Sequence, residues 1–431
     1  MKRANLGRRP LLSGAAAALA MPALAQGKPE KLVYVGDNGP WHFAMVEEVA
    51  PAFEKATGIK IDFTLLPVDP WQARLKAELN SGSSGIDIVQ FSVGMAGWLN
   101  PHFEDHETVA AAIMAKDPSW DWGDFLAGSK RAFSYQDKLN GIPYRVTTGI
   151  MHYQKALLEK AGITKLPETY AELQAAAIAC NSPPDRYGFG LSGKQGSAIV
   201  TAFYPWLYSA GGKLVDFSTG EIFINNDAAV AGLTFWSELV TKHKVVPPDA
   251  MTWEFDEIIT GAQRDRYAMC QTFAPYATLM NDAKLSTTGG KWTWSTVPGQ
   301  TQKSQSRTWV DGHALGIPKY TKNKEWAMEF IRMCCSKQYM HRSMVRGNAP
   351  PRGSVLRDPE LVALLGWPPS AAAAIETGIS TPAHPAMATL DTALRAGLSQ
   401  AILGQKTPKQ ALDDIAADWQ RGLRRAGVGK G

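Results

Sequence analysis

Residues 188–193 are the first pattern in this chain whose spacing could carry chemistry. They read Gly-Phe-Gly-Leu-Ser-Gly and match the GxGxxG spacing of dinucleotide-binding turns. Pro183 and Pro184 stand where the preceding strand should be, and no acidic residue lies near the expected offset of about 20 residues downstream. The motif alone is weak, so we expect no nucleotide cofactor.

Two histidines form the second pattern. His102 and His106 flank Glu104 and Asp105, and this spacing can place two imidazoles on one helical face toward zinc. Pro101 and the acidic neighbours fit an exposed turn better, and no third ligand is evident. We therefore expect neither a metal nor any other cofactor.

The third pattern is an abundance of carboxylates and tryptophans, which keeps glycoside hydrolysis open as an alternative. The 40 acidic residues allow many pairs, but none lies in a local motif that demands catalysis. The 14 tryptophans also suit a sugar-binding cleft, because an indole packs its face on a sugar while its N–H donates a hydrogen bond. Most should lie in the core, including Trp292, Trp294, Trp326 and Trp419.

The first 25 residues read as an export signal. A basic stretch containing Arg8 and Arg9 precedes a weakly apolar segment at 11–20 and a small-residue ending at 23–25. The paired arginines favour the twin-arginine route. The segment is too short for a membrane anchor, which needs about 20 apolar residues. No Cys stands nearby to carry a lipid, so we expect a soluble periplasmic protein.

Charge excludes two classes of partner. The chain has 45 basic and 40 acidic residues, and the signal holds four of the basic ones, which leaves 41 against 40. Nucleic acids and anionic membranes need clustered Lys and Arg, so neither partner is expected. The remaining 406 residues exceed what one core usually organises, which predicts two lobes.

The four cysteines do not suggest a disulfide framework. Cys334 and Cys335 are neighbours within a helical pattern and are expected to be small buried thiols. A bridge between Cys180 and Cys270 stays open, because sequence does not supply its geometry.

Strands and helices alternate along the first part of the chain. Strands are predicted at 31–35, 59–65 and 86–91, and helices at 43–58 and 71–79. This alternation is typical of a parallel α/β sheet, in which ligands bind beyond the carboxyl ends of strands. A second α/β unit is predicted from about residue 141. Later come a strand at 309–318, a helix at 325–340 and a Pro/Gly-marked segment at 347–353, with crossings between the units near 145, 308 and 350.

Seven short matches occur in a fixed order over nearly the whole mature chain. They are 52–61, 85–89, 141–143 with 153–155, 211–212, 267–269 with 274–276, 312 with 315–318, and 327–331. Their number and order resemble the extracellular solute-binding proteins of ABC sugar importers, the family that includes maltose-binding proteins.

This resemblance implies an α/β fold of two lobes, each a mainly parallel sheet flanked by helices, joined by a hinge of crossing strands. The expected division is a signal peptide at 1–25, an N-terminal lobe of 26–144 plus 309–350, and a C-terminal lobe of 145–308 plus 351–431. It also implies a binding protein rather than an enzyme. A monomer would capture a carbohydrate, from a polyol or monosaccharide to an oligosaccharide, and deliver it to an ABC permease in the inner membrane. A polyamine, a peptide or glycerol phosphate in the same fold, or an exported glycosidase, is the alternative.

Aromatic and polar residues at strand ends are the first candidate ligand contacts. Asp37, Asn38, Trp41 and His42 surround the turn after the first strand, although Trp41 is equally compatible with a hydrophobic staple. Phe91 and Ser92 end a buried strand.

The remaining candidates lie beyond the first α/β unit. Tyr204 and Trp206 lie in a region that resembles a cleft-lining aromatic helix of the family, and Tyr276 matches a position where members often place a sugar-stacking aromatic. Trp253 is a further candidate.

Four residues at the predicted crossings complete the candidate site: Arg145, Asp311, Gly312 and Arg352. An arginine fork can bind vicinal hydroxyls or an acidic sugar, and the Asp311 carboxylate can accept two hydroxyl hydrogen bonds. Each charged residue could instead belong to a structural salt bridge.

Overall fold

The computed structural model describes residues 27–429. The predicted signal at 1–25 lies outside the described residues. The strands are β1 Lys31–Asp37, β2 Lys60–Leu66, β3 Ile88–Ser92, β4 Ser134–Tyr135, β5 Lys138–Leu139, β6 Ile142–Gln154, β7 Tyr187–Gly190, β8 Val215–Asp216, β9 Glu221–Ile222, β10 Tyr267–Phe273, β11 Trp292–Ser295, β12 Trp309–Gly316 and β13 Ile379–Ser380.

The α-helices surround these strands. They are α1 Ala50–Thr57, α2 Val68–Asn80, α3 Ala96–Leu99, α4 His106–Lys116, α5 Ala127–Ala132, α6 Lys155–Lys160, α7 Tyr170–Ala179, α8 Ser197–Ser209, α9 Asp227–Thr241, α10 Phe255–Gln263, α11 Tyr276–Met280, α12 Lys324–Cys334, α13 Lys337–Val345, α14 Gly353–Leu356, α15 Pro359–Leu365, α16 Pro368–Thr377, α17 Met387–Ile402 and α18 Pro408–Arg425. A π-helical turn at Met45–Val49 leads into α1.

Within the described residues, nine strands form one sheet in the order β2-β1-β3-β12-β6-β10-β7, with β11 on β6 and β13 on β12. Both ends of the sheet contain parallel pairs, β1 with β2 and β3 at one end and β10 with β7 at the other. The middle is antiparallel, because β12 pairs with β3 and β6, and β6 pairs with β10. The two predicted parallel units are therefore joined by antiparallel crossing strands.

A single strand, β6, serves both halves of the sheet. Its residues 142–148 pair with β12, whereas 149–154 pair with β10 and β11. The sequence predicts a short strand here, but the strand extends over 13 residues, with one register shift in its pairing with β12. A ligand between the two halves would therefore lie against one continuous element.

Two hydrophobic cores define the two lobes. The first core is built from residues between Leu32 and Ile150 and from Val310 onward, with Ala274 and Ala277 added, and the second begins at Met151 and includes Trp309. The crossings predicted near 145 and 308 thus fall at 150–151 and 309–310.

The third crossing is not near 350. Helices α14, α15 and α16 pack into the first core through Val355, Leu361, Trp367 and Ile375. The chain returns to the second core at Ile379 and Met387, which pack against it, and Leu390 on α17 is its next fully buried member. Residues 351–375 therefore belong to the first lobe rather than the second, because their apolar faces are buried there.

Local sequence signals set several helix ends. Gly58 ends α1 in a left-handed conformation, with φ of 70°, as its position predicts. The helix predicted at 325–340 is instead two helices, α12 and α13. Ser336 interrupts it by capping α13, because its hydroxyl accepts a hydrogen bond from the Tyr339 backbone N–H.

The four cysteines carry free thiols, so Cys180 and Cys270 are not bridged. Among residues 27–429, no helix combines the length and apolar character needed to cross a membrane.

Candidate ligand-binding site

A cavity opens in the second lobe at the carboxyl ends of β7 and β10. It encloses about 230 Å³, part of it continuous with solvent, and its lining residues are uncharged. They are Ser192, Ala198, Thr201, Ala202, Phe255, Gln271, Thr272, Phe273 and Trp309. Both strands run parallel and end here, which is where α/β sheets place their ligands.

Two buried polar atoms beside this cavity are unpaired. The Nε1 atom of Trp309 and the Oγ1 atom of Thr308 have no hydrogen-bond partner among the described residues. Gly149 on β6 faces both, because a Cβ atom there would stand 3.1 Å from Thr308 Oγ1 and 3.4 Å from Trp309 Nε1. Buried polar groups are normally paired, so a donor and an acceptor are present here for a ligand or water.

Aromatic rings form one wall of the cavity. Phe273 stands edge-on to both Tyr276 and Trp309, with ring centroids 4.9 Å apart in each pair. Tyr276 begins α11, shortly after β10 ends at Phe273, and is half-buried. Burial raises the pKa of the Tyr276 hydroxyl to about 12, so the ring is neutral at physiological pH.

The first lobe presents a charged network to the same region. Asp37 ends β1, and its Oδ1 atom accepts hydrogen bonds from Trp41 Nε1 at 2.8 Å and His42 Nε2 at 3.2 Å. Its Oδ2 atom lies 3.4 Å from His313 Nε2. Burial opposes ionisation of this carboxyl, but hydrogen bonds from His313 and His42 outweigh it, so the pKa of Asp37 lies far below its ordinary value. Asp37 is therefore a fixed anion.

Arg145 lies on β6 beside this anion. Its Nη1 atom is 3.2 Å from His313 Nδ1, and its Nε atom donates to Asn348 Oδ1 at 3.2 Å. The guanidinium carbon stands 4.6 Å from the centre of the Trp41 ring. Burial lowers the pKa of Arg145, while the nearby Tyr144, Asp311 and Tyr276 act in the opposite direction.

Arg145 therefore connects the two regions. It is fixed by first-lobe residues, and Tyr276 is near enough to influence its pKa.

Asp311 and Gly312 lie on β12 opposite β6. The Asp311 Oδ1 atom accepts a hydrogen bond from the Gly312 N–H at 2.7 Å, and its carboxylate is half-buried. Gly312 has φ of 144°, and a Cβ atom there would overlap the carbonyl oxygen of Arg145. A glycine is thus required at position 312 by the close β6–β12 contact.

Four sequence-predicted residues lie in the cores rather than in the cleft. Phe91 packs on Phe103 and Phe133. Trp206 is fully buried against aromatic residues of the second core. Trp253 is almost fully buried and packs against Tyr267.

Arg352 is the fourth. Its guanidinium donates to three backbone carbonyls, those of Cys335, Asp121 and Trp120, and to the Asp124 carboxylate. It therefore holds the 347–353 loop in the first lobe, where its side chain is fully buried.

The other predicted residues differ in how far they are exposed. Asn38 is exposed beside Asp37, and Ser92 is half-buried at the end of β3, opposite His313 in the ladder. Tyr204 on α8 is buried and stacks on Tyr208, with ring centroids 5.5 Å apart. Burial raises the pKa of Tyr204, and the nearby Thr381 side chain acts in the opposite direction.

The two motifs that suggested cofactors have structural roles. Gly188 and Gly190 lie in β7, where a Cβ atom would overlap the Ala177 carbonyl oxygen and crowd the Tyr267 ring, respectively. His106 is buried, with Nδ1 donating to the Glu104 carbonyl and Nε2 accepting from the Ile317 N–H, both at 2.9 Å. In residues 27–429, no three His, Cys, Asp or Glu side chains are grouped for a metal.

Sequence reasoning missed His313, Asn348 and Trp309. Trp309 and His313 could have been found, because strand alternation places them on the same face of β12 as Asp311. Asn348 follows a loop glycine and carries no comparable signal.

A family model for bacterial extracellular solute-binding proteins matches residues 43–340. The chain belongs to this family. Its members are binding proteins that act outside the cytoplasm and work with ABC permeases.

Three similar proteins illustrate the range of the family. A probable amino-acid ABC transporter periplasmic-binding protein of Sinorhizobium fredii is 23% identical, over 95% of this chain and 93% of its own length. Maltose-bound MalE3 of T. maritima superposes with a TM-score of 0.75 at 22% identity, covering 91% of this chain and 99% of that one. A solute-binding protein of Agrobacterium radiobacter K84 in complex with ribitol gives 0.75 at 23% identity, with 91% and 98% covered. At such identities, the two structures establish the fold of this solute-binding protein.

Proposed function

We propose that this protein captures a neutral polyol or sugar between its two lobes and delivers it unaltered to an ABC permease. The observation that carries the proposal is the uncharged cavity at the ends of β7 and β10, which has aromatic walls and two buried polar atoms without a partner in residues 27–429. Sugars and polyols combine apolar C–H faces with many hydroxyls, and such a wall complements both.

The small cavity favours a small ligand. Its empty space of about 230 Å³ includes open solvent, so we prefer a polyol or monosaccharide to an oligosaccharide. The solved relative that contains ribitol is consistent with this choice.

The two cores are proposed as the two bodies that close on the ligand. Residues 27–150 with 310–377 would form one, and 151–309 with 387–428 the other. Arg145 and Asp311 would bind ligand hydroxyls from the first body and the hinge, while Tyr276 and Trp309 would contact the ligand from the second. Asn38, Ser92 and Tyr204 would lie at the rim. The mature protein would act as a soluble periplasmic monomer after loss of residues 1–25.

An amino acid is the second candidate. Arg145 and Asp311 carry opposite charges close together, which suits a carboxylate and an ammonium group of one ligand. The Sinorhizobium relative is named as a probable amino-acid ABC transporter binding protein. Polyamines and glycerol phosphate fit less well, because the cavity lining carries no excess of either charge.

A thermal-shift screen of residues 26–431 separates these candidates. Ribitol, D-mannitol, maltose, L-amino acids, putrescine and glycerol 3-phosphate would be tested one at a time, and each hit recovered and analysed by chromatography. Stabilisation by ribitol or D-mannitol, recovered unchanged, supports the proposal. Stabilisation only by amino acids, amines or phosphates contradicts the carbohydrate assignment, and chemical turnover contradicts the binding role.

Asp311→Asn provides the matched site test. It keeps the hydrogen bond to Gly312 but removes the charge, so an amino acid should lose much more affinity than a polyol. Asp418→Asn, on the exposed side of α18, is the control that should leave binding unchanged.

A further inference from the structure

The contact between Arg145 and His313 fixes which nitrogen of His313 carries its proton. Arginine has five N–H donors and no acceptor, so the group that its Nη1 atom approaches must accept. That group is His313 Nδ1, at 3.2 Å. The Nδ1 atom must therefore be unprotonated for the two side chains to remain in contact.

The other side of the His313 ring has the complementary requirement. Its Nε2 atom lies 3.4 Å from Asp37 Oδ2, and an ionised carboxylate only accepts. A neutral imidazole with its proton on Nε2 satisfies both neighbours at once. Asp37 is held in turn by Trp41 and His42, so it selects this tautomer from a fixed position.

Packing keeps the His313 ring in this orientation. Trp41 stacks on it with ring centroids 4.9 Å apart, and the same indole lies under the Arg145 guanidinium at 4.6 Å. Asn348 completes the arrangement by accepting from Arg145 Nε. Arg145 is thus held by one stacking contact and two acceptors, and His313 is the one acceptor that can be protonated.

We propose that His313 is a positioning residue for ligand binding: as the neutral Nε2–H tautomer held by Asp37, it accepts from Arg145 and orients the guanidinium toward the cleft. This role rests on the proposed function, since it assumes that Arg145 contacts the ligand. Protonation of His313 places an N–H against the guanidinium, removes the acceptor and releases Arg145, so affinity should fall in acid.

The groups around His313 influence the pH at which its ring is protonated. Asp37 and His42 face it from the β1 side, Arg145 and Tyr144 from β6, and Asp311 from its own strand. Burial and Arg145 lower the pKa of His313, while Asp37 and Asp311 act in the opposite direction. The neutral form is therefore favoured at neutral pH and is lost only on acidification.

The test compares two variants with ribitol, or with D-mannitol if only that binds, as the probe. His313→Asn places an amide oxygen near the Nδ1 position and does not titrate, whereas His313→Leu fills similar space without an acceptor. We expect His313→Leu to weaken binding about tenfold or more, as for loss of a hydrogen bond to a charged group. His313→Asn should recover most of that affinity. Wild-type affinity should fall on acidification below pH 7, and that of His313→Asn should not.

Two results would overturn the proposal. One is His313→Leu binding the probe as tightly as the wild-type protein, with its melting temperature unchanged. The other is the same pH dependence in the wild-type protein and in His313→Asn.

A measurement without ligand keeps this question separate from the proposed function. Nitrogen-15 NMR of the wild-type histidine rings at pH 7 should show His313 with Nε2 protonated and Nδ1 bare, and Asp37→Asn should weaken that preference. If no solute binds, the proposed function fails, and the spectrum still decides the tautomer. A protonated Nδ1 at pH 7 would refute the positioning role.

Discussion

The two walls of the cleft differ in their charge and in how fully their polar groups are paired. The first-lobe wall is a network of charged and polar groups in which Asp37, His313 and Arg145 are already paired with one another. The second-lobe wall is uncharged, and its Trp309 Nε1 and Thr308 Oγ1 atoms have no partner among the described residues. The difference indicates that one wall is organised before the ligand arrives, whereas the other is completed by it. Substitutions in the first wall should therefore affect stability as well as binding, and those in the second mainly binding.

Substitutions of two glycines on facing strands should separate effects on stability from effects on binding most strongly. In Gly312→Ala the new methyl overlaps the backbone oxygen of Arg145, at a φ of 144° that side chains rarely adopt. We expect a loss of about 4 kcal/mol in the free energy of unfolding, measured by urea denaturation.

Gly149→Ala is the matched control. Its methyl would meet the flexible end of Gln271, which can move, so stability should fall less and ribitol affinity should fall more. Equal losses of stability in the two variants would contradict the distinction between the walls.

Buried histidines predict how each lobe responds to acid. Burial lowers the pKa of His106 to about 4 and that of His152 to about 3. Both are neutral in the folded protein and titrate near 6.5 when unfolded, so their stabilising contribution is complete above pH 6.5 and is lost as pH falls toward those values. The His106 contribution should reach about 3 kcal/mol at most, at 1.36 kcal/mol per pKa unit.

Urea denaturation at several pH values tests this sign. His106→Gln should flatten the dependence between pH 6.5 and 4. His106 has both ring nitrogens bonded, whereas His152 Nδ1 is unpaired among the described residues. Substitution of His106 should therefore cost more stability at pH 7 than substitution of His152, and the reverse order would be inconsistent with these contacts.

Arg145→Ala removes the charged group that links the walls. We expect ribitol or D-mannitol affinity to fall about 100-fold, which corresponds to loss of a hydrogen bond to a charged group in a buried site. Isothermal titration calorimetry measures the change. Arg421→Ala, at an exposed position on α18, should bind as the wild-type protein does. Unchanged affinity in Arg145→Ala would remove the first lobe from the proposed site.

The smallest expected effect distinguishes a paired threonine from an unpaired one. Thr308→Val removes a buried hydroxyl without a partner, so stability should stay the same or rise by about 1 kcal/mol, while ribitol affinity falls several-fold. Thr148→Val removes a hydroxyl that donates to the Trp309 carbonyl at 2.9 Å, so it should lose about 1 kcal/mol. Calorimetric melting of both variants checks the pair, and a destabilised Thr308→Val would contradict the unpaired state.

The amino-acid sequence predicts the fold well where local signals agree. The β1-α1-β2-α2-β3 order and the helix end at Gly58 are confirmed, because strand alternation and a left-handed glycine are local properties. The crossing near residue 350 is wrong, because a Pro/Gly segment marks a loop but does not reveal which core receives the following helices. That choice depends on burial of residues such as Trp367 against the first lobe.

The candidate site is predicted less completely. Asp37, Trp41, Arg145 and Asp311 lie together because strand ends and crossings converge, which the order of elements indicates. Arg352 was a reasonable choice by type and position, yet it is buried in its own lobe, where four acceptors take four of its five N–H donors. Such pairing between residues more than 200 positions apart has no sequence signature.

The most direct test of the account is a crystal structure of residues 26–431 with the solute that stabilises them in the screen. The account predicts a polyol or monosaccharide between the lobes, hydrogen-bonded to Arg145 on one side and to Trp309 Nε1 on the other. A ligand that contacts only one lobe, or that leaves both Arg145 and Trp309 untouched, would contradict it.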